Sequence, residues 1–221
     1  MKNEFIDLPK GPQLSKAEIL TQSADYYKLM STRRTVREFS SDPVDLQVIE
    51  NCIRTAGTAP SGANQQPRHF AIITDPKIKK EIRLAAEAEE AEFYAGRAGE
   101  VWLETLEHLG THAKKPFLEQ APVLIAIFEQ KYTINETGKR VKHYYAKEST
   151  GIATGTLISA IHNAGLASLT HTPSPMKFLS NILDRPDGER PFLLLVVGHP
   201  AEKTMVPNIT KKSLSEISSR Y

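Results

Sequence analysis

Glu90 and Tyr94 lie four residues apart in the acidic, helix-prone stretch "EAEEAEFYAG" (residues 87–96), so on a helix the two share one face. Basic residues gather around Lys115 some twenty positions later. A carboxylate and a phenol presented together, with an ammonium brought opposite, can hold a polar substrate; the plain alternative is a solvated helix face. A second group of residues suits an anion. "STRRTVREFS" concentrates Arg33, Arg34 and Arg37 with Ser31, Thr32 and Thr35 between two helices. Guanidinium forks and hydroxyls are the donors that a phosphate monoester requires, although a solvated basic loop has the same composition. "TAPSGANQQP" offers Pro60, Ser61 and Gly62, small residues that let backbone N–H groups approach a flat ligand closely. Thr170 and Thr172 in "THTPSP" end a short strand with hydroxyls available, and "VPNITKKSL" places Lys211 and Lys212 near the carboxyl end.

Other chemistries find less support. No GxGxxG follows a strand and no GxxxxGK[ST] occurs, so the usual dinucleotide and P-loop fingerprints are missing. Gly151 and Gly155 form a GxxxG spacing that in a soluble chain reads as close helix packing. His108 and His112 in "HLGTH" have i, i+4 spacing but lack the Glu of HExxH and enclose a glycine, so no metal is expected. Cys52 is the single cysteine; it reads as a packed thiol, excludes an intrachain disulfide and fits a reducing compartment. With 28 basic against 26 acidic residues the net charge is +2, too even to argue for nucleic acid or an anionic membrane as partner. The amino-terminal stretch has no apolar run suited to a signal peptide, and "APVLIAIF" and "PFLLLVVG" are too short to cross a bilayer. A cytoplasmic protein with no membrane contact is expected.

The elements that must position these residues are legible in outline. Ser15 and Glu18 form a capping box that opens a helix to about Met30. Leu46, Ile49 and Ile53 repeat at helical spacing. "RHFAIITD" reads as a strand broken at Asp75–Pro76, followed by a helical region over 76–109 that Gly96 and Gly99 interrupt. "APVLIAIFEQ" is a buried strand, and "YYAKESTGIATGTLISAIHNAG" is a helix apolar nearly all round, to be covered by this domain or by a second subunit. "LASLTHT" and "PFLLLVVGHP" complete a sheet of four or five short strands. Helices and strands mix without regular βαβ alternation, so the class is α+β and one domain over 1–221 is expected.

Taken in order, the Arg-rich run, the Ala-Pro-Ser-Gly segment before a strand, the threonine pair and the late basic residue resemble the FMN-dependent nitroreductase superfamily, over about Ser31 to Leu214. The resemblance implies that family's fold, a central mixed or antiparallel sheet flanked by helices in an arm-exchanged homodimer. It also implies an N-terminal arm over 1–14 and a C-terminal extension over 200–221. Arg33, Arg34, Thr35, Val36 and Arg37 are expected to bind the FMN phosphate and the flavin's polar edge. Ser61 and Gly62 would reach the cofactor from the other subunit. Thr170 and Thr172 flank its ring, with His171 between them as a further cofactor residue or turned away from the flavin. Lys211 is expected on the phosphate, with Lys212 as the open alternative.

"VIENCIRTAGTAPSGA", "APVLIAIFEQ", "VKHYYAKES" and "GLASLTHTP" look like the iodotyrosine deiodinase branch of that superfamily. Its lid carries a Glu, a Tyr four residues later and a Lys about twenty further on, which here fall on Glu90, Tyr94 and Lys115 in a lid over 87–115. The implied chemistry is reductive dehalogenation of 3-iodotyrosine and other halotyrosines, with electrons from NADPH or another reductant. Glu90 would accept from the substrate ammonium, Lys115 would pair with its carboxylate, and Tyr94 would cover it. The Ala63 N–H would donate to the phenolate, and Thr172 to flavin N5 as the catalytic contact. A general NAD(P)H:FMN nitroreductase and a non-catalytic flavin-binding protein are the alternatives. One departure stands out: "GANQQPR" puts Arg68 where the branch commonly has an aromatic, which bears on substrate range.

Overall fold

The computed structural model describes residues 5–97, 99–107 and 109–221. The chain divides at Arg33, with Met1–Arg33 as one unit and Arg34–Tyr221 as a second. In the first unit, helix α1 (Lys16–Ser31) starts where the capping box places it: Ser15 Oγ accepts from the Glu18 N–H, and Glu18 returns the bond to the Ser15 N–H. Thr32 closes α1, its hydroxyl donating to the Leu29 carbonyl at 2.7 Å.

The second unit is built on a four-stranded sheet. Strands β1 (Arg68–Ile73), β2 (Val123–Gln130), β5 (Ala167–His171) and β6 (Glu189–Gly198) lie in the order β1–β2–β6–β5, every pair antiparallel. The run "VLIAIF" in β2 is buried throughout because both faces of the sheet are covered. Its side chains alternate between two cores. Leu124, Ala126 and Phe128 pack with Leu194, Val196, Ile82 and Leu179 beneath α3 (Pro76–Glu92) and α7 (Lys177–Ile182). Val123, Ile125 and Ile127 pack with Leu195, Val197, Ile49, Leu157 and Ile161 beneath α2 (Leu46–Gly57) and α6 (Ala146–Asn163). The α+β reading and the antiparallel sheet are therefore what the structure has.

The helical region after Pro76 breaks near its two glycines. Asp75 caps α3, accepting from Lys77 and Ile78 N–H groups, with Pro76 in the first turn. A π-type turn, Phe93–Arg97, follows, and α4 (Glu100–Glu107) comes after Gly99. Helix α6 is less enclosed than its composition suggests. Ala153, Leu157 and Ile161 are buried, while Gly155 is exposed and Ile152 half exposed on the other side. The short helix α5 (Phe117–Gln120), the hairpin of β3 (Tyr132–Ile134) and β4 (Arg140–Lys142), α7, and α8 (Leu214–Ile217) are additions to the sequence reading. These segments are too short for periodicity to register.

Candidate active site

One stripe of α3 organises the site. Lys79, Arg83, Glu87, Glu90 and Tyr94 recur at spacings of three or four, so they rise along one face of the helix and into the turn beyond it. The first two fasten the segment that precedes β2. Lys79 Nζ donates to the carbonyls of Glu119 (3.0 Å) and Ala121 (2.8 Å), and Arg83 Nε bonds the Glu119 carboxylate. Higher up, Lys115 Nζ stands 3.1 Å from Glu90 Oε2 and 3.1 Å from Thr111 Oγ1, and lies 5.9 Å from the centroid of the Tyr94 ring. The Lys115 side chain is 4% exposed and that of Glu90 14%. Burial pushes the Lys115 ammonium below its ordinary pKa, and the Glu90 carboxylate opposes that fall. Phe93 links Tyr94 to Trp102 by edge-to-face contacts with centroids 5.5 and 5.7 Å apart.

These groups border a cavity of about 340 Å³, of a size that suits a small molecule. Glu90, Tyr94, Trp102 and Lys115 line it from the segment 87–115; Arg37, Thr170, His171 and Thr172 line it from below. Strand alternation explains the lower wall. Thr170 and Thr172 are exposed on one side of the β5 end, while His171 is buried on the other with its ring edge-on to Phe117. Among the described residues the His171 Nε2 has no hydrogen-bond partner, and its pKa is lowered to about 3 by burial, then by Lys115 and Arg37. The ring is neutral at ordinary pH.

The basic run docks beside that strand. Thr35 pairs with Ser168 in a parallel bridge and the Val36 N–H donates to the Ser168 carbonyl at 3.3 Å. Val36 turns its side chain into the core, so only its backbone can face a ligand; Thr35 and Arg37 line a neighbouring cavity of about 360 Å³ with Met205, Val206 and Pro207. Burial pulls Arg37 below its usual pKa, with Tyr94 opposing. The Arg34 guanidinium bonds the Pro207 carbonyl, which ties the chain around Pro207 to this run. Arg33 ends the first unit, and Lys211 and Lys212 are both exposed.

Ser61, Gly62 and Ala63 stand apart from the described lining of the cavity beside the segment 87–115. They form a tight turn in which Ser61 Oγ accepts from the Gln66 N–H at 2.9 Å and Ala63 is left-handed at φ 49°. Gly62 packs closely, since a Cβ there would come to 3.1 Å from the Tyr144 carbonyl and the Tyr145 ring, and these neighbours would have to give way to a side chain. Arg68 is buried behind this turn. Its Nη2 donates to the carbonyls of Gly57 (2.7 Å) and Ala59 (3.0 Å), so it braces the entry to the turn.

Sequence reasoning passed over Glu87, Trp102 and Thr111. The first was legible, because Glu87 sits one helical turn below Glu90 on the same face. Trp102 meets the Phe93 ring and Thr111 the Lys115 ammonium, contacts that no periodic pattern in the sequence announces. His108 lies outside the described residues. Cys52 is buried, and among the described residues no group of three or more His, Cys, Asp or Glu side chains could hold a metal ion.

Residues 30–199 match the Nitroreductase family. The iodotyrosine deiodinase of Haliscomenobacter hydrossis is 53% identical over 211 residues, covering 96% of this chain and 95% of that protein. The iodotyrosine deiodinase of Nematostella vectensis is 47% identical over 214 residues, covering 96% and 79%, and iodotyrosine deiodinase 1 of Homo sapiens is 41% identical over 203 residues, covering 90% and 70%. Among solved structures, an oxidized iodotyrosine deiodinase bound to FMN and 3-iodo-L-tyrosine superposes with a TM-score of 0.77 at 30% identity, over 89% of this chain and 98% of that one. With the family match spanning most of the sequence and these relatives covering nearly all of it, the chain belongs to the nitroreductase family.

Proposed function

We propose that this protein catalyses the FMN-dependent reductive dehalogenation of 3-iodotyrosine and other halotyrosines, giving halide and tyrosine, with NADPH or another reductant as the source of two electrons. The observation that carries this reading is the buried Glu90–Lys115 pair beside Tyr94, at the roof of a cavity whose floor bears Thr170 and Thr172. A free amino acid is a zwitterion. Its ammonium needs an anion and its carboxylate a cation, and the roof supplies both from positions that water barely reaches.

The residues present fit FMN. Exposed hydroxyls of Thr170 and Thr172, the Arg34–Arg37 run against β5, and the half-buried Arg37 guanidinium form a donor set suited to a phosphate and a polar ring edge. Arg34, Thr35 and Arg37 would hold the phosphate side, with Arg33, the backbone of Val36 and Lys211 or Lys212 as further contacts. Thr170 and Thr172 would flank the ring, with Thr172 placed toward N5 and His171 turned into the protein beneath them. FMN, when bound, supplies the electrons that break the carbon–halogen bond. The chain's own part is to stack the halophenol in place, exclude water with the lid, and hold its phenolate through the Ala63 N–H.

Ser61, Gly62 and Ala63 stand away from the cavity, and this favours a homodimer in which the partner subunit brings that turn to the flavin. The exposed face of α6 and the exposed Phe5, Ile6 and Leu8 of the N-terminal arm supply apolar surface for such a dimer. Steady-state assays test the reaction. Iodide release from 3-iodotyrosine at a kcat/KM above that for reduction of a nitroaromatic supports a dehalogenase. Efficient nitro reduction with no iodide release would make the protein a general nitroreductase.

A further inference from the structure

Glu87 lies outside the described lining of the cavity, yet its carboxylate is 9% exposed and fully engaged. Its Oε1 accepts from the Lys115 backbone N–H at 2.7 Å, a bond between residues 28 apart that joins the two ends of the segment 87–115. Its Oε2 pairs with Arg83 Nη1 at 2.8 Å and stands 3.8 Å from Lys114 Nζ. Arg83 is itself bonded to Glu119 and so anchored below the segment. One turn further along the same helix face, Glu90 holds the Lys115 ammonium. A single helix therefore grips Lys115 twice, by its backbone through Glu87 and by its side-chain tip through Glu90.

The two grips differ in what substrate does to them. If Glu90 takes a substrate ammonium, its bond to Lys115 is exchanged for that one, and the lysine tip loses the carboxylate that pairs with it. The Glu87 bond lies behind the cavity and persists through that exchange. We propose that Glu87 is a positioning residue. It fixes the Lys115 backbone, and so the distance between the cation and the anion that receive an amino acid, independently of the loop between them. The proposal rests on the reading of Glu90 and Lys115 as the amino-acid grip.

The experiment uses FMN-loaded protein and two probes, 3-iodotyrosine and 2-iodophenol, which share the halophenol but differ in the zwitterion. Glu87→Met keeps the length of the side chain and removes its acceptor; Glu87→Gln keeps an acceptor for the Lys115 N–H. The expected result is that Glu87→Met raises Kd and KM for 3-iodotyrosine about tenfold, with kcat, FMN retention and 2-iodophenol binding unchanged, and that Glu87→Gln stays near wild type. Equal losses for both probes, or no loss for either, would overturn the positioning role. Amide hydrogen exchange in the wild type gives a second test that needs no variant. The Lys115 amide should be protected with and without 3-iodotyrosine, and free exchange in the complex would refute the proposal. Failure of the underlying reading shows separately, as a wild type that binds the two probes equally well.

Discussion

Glu90 and Lys115 hold opposite charges 3.1 Å apart where little water reaches, so removing either leaves the other buried without its partner. Glu90→Gln keeps the shape and a neutral acceptor but loses the charge that an ammonium seeks. It should weaken 3-iodotyrosine binding by about 1–3 kcal/mol, the typical cost of losing a charged hydrogen bond, with FMN still bound. Flavin fluorescence during titration measures this, and an unchanged Kd would remove Glu90 from the substrate's reach. His171 makes a different prediction. Its folded pKa of about 3 lies below the ordinary 6.5, so between those values the unfolded chain binds more protons than the folded one. Stability therefore rises with pH across that window and is lost as pH falls through it, with a slope approaching about 1.4 kcal/mol per pH unit from this group alone. Urea unfolding at several pH values should show a shallower dependence for His171→Gln than for wild type; parallel curves would contradict the buried, neutral ring.

At the scale of elements, the parts with a strong period were legible and those set by tertiary contact were not. The capping box at Ser15, the Asp75–Pro76 start of α3 and the unbroken apolar run of β2 each have a local cause and appear where the sequence placed them. The Glu90–Tyr94 face was legible for the same reason, since i, i+4 spacing is a property of any helix. The meeting of Lys115 with Glu90 was expected only through the family resemblance, because no local rule says how residues 93–114 turn back. Arg68 shows the limit most clearly. In the sequence it stands at a position tied to substrate range, whereas the structure buries it against the Gly57 and Ala59 carbonyls behind the Ser61–Ala63 turn. Arg68→Met should leave those carbonyls without their donor and lower stability by about 1–3 kcal/mol, read as a drop in Tm. A variant with unchanged Tm would show that the brace contributes nothing.

For the whole molecule, the Ser61–Ala63 turn and the Thr170–Thr172 floor are separate in one chain, and two copies are proposed to complete a site. The exposed side of α6 is where this can be tested. Gly155 is exposed with no atom within 4 Å of an added Cβ, so a side chain there starts into open space. Gly155→Trp should fold normally by circular dichroism, sediment as a monomer and lose FMN on gel filtration; a dimer that keeps its flavin would place the interface elsewhere. No helix among the described residues is long and apolar enough to cross a membrane.

The most direct measurement is titration of the FMN-loaded protein with 3-iodotyrosine and, in parallel, with 2-iodophenol, followed by flavin fluorescence. Two charged contacts from Glu90 and Lys115 should make the amino acid bind roughly a hundredfold more tightly than the bare halophenol. Equal affinities for the two would contradict a lid that grips the charged ends of an amino acid.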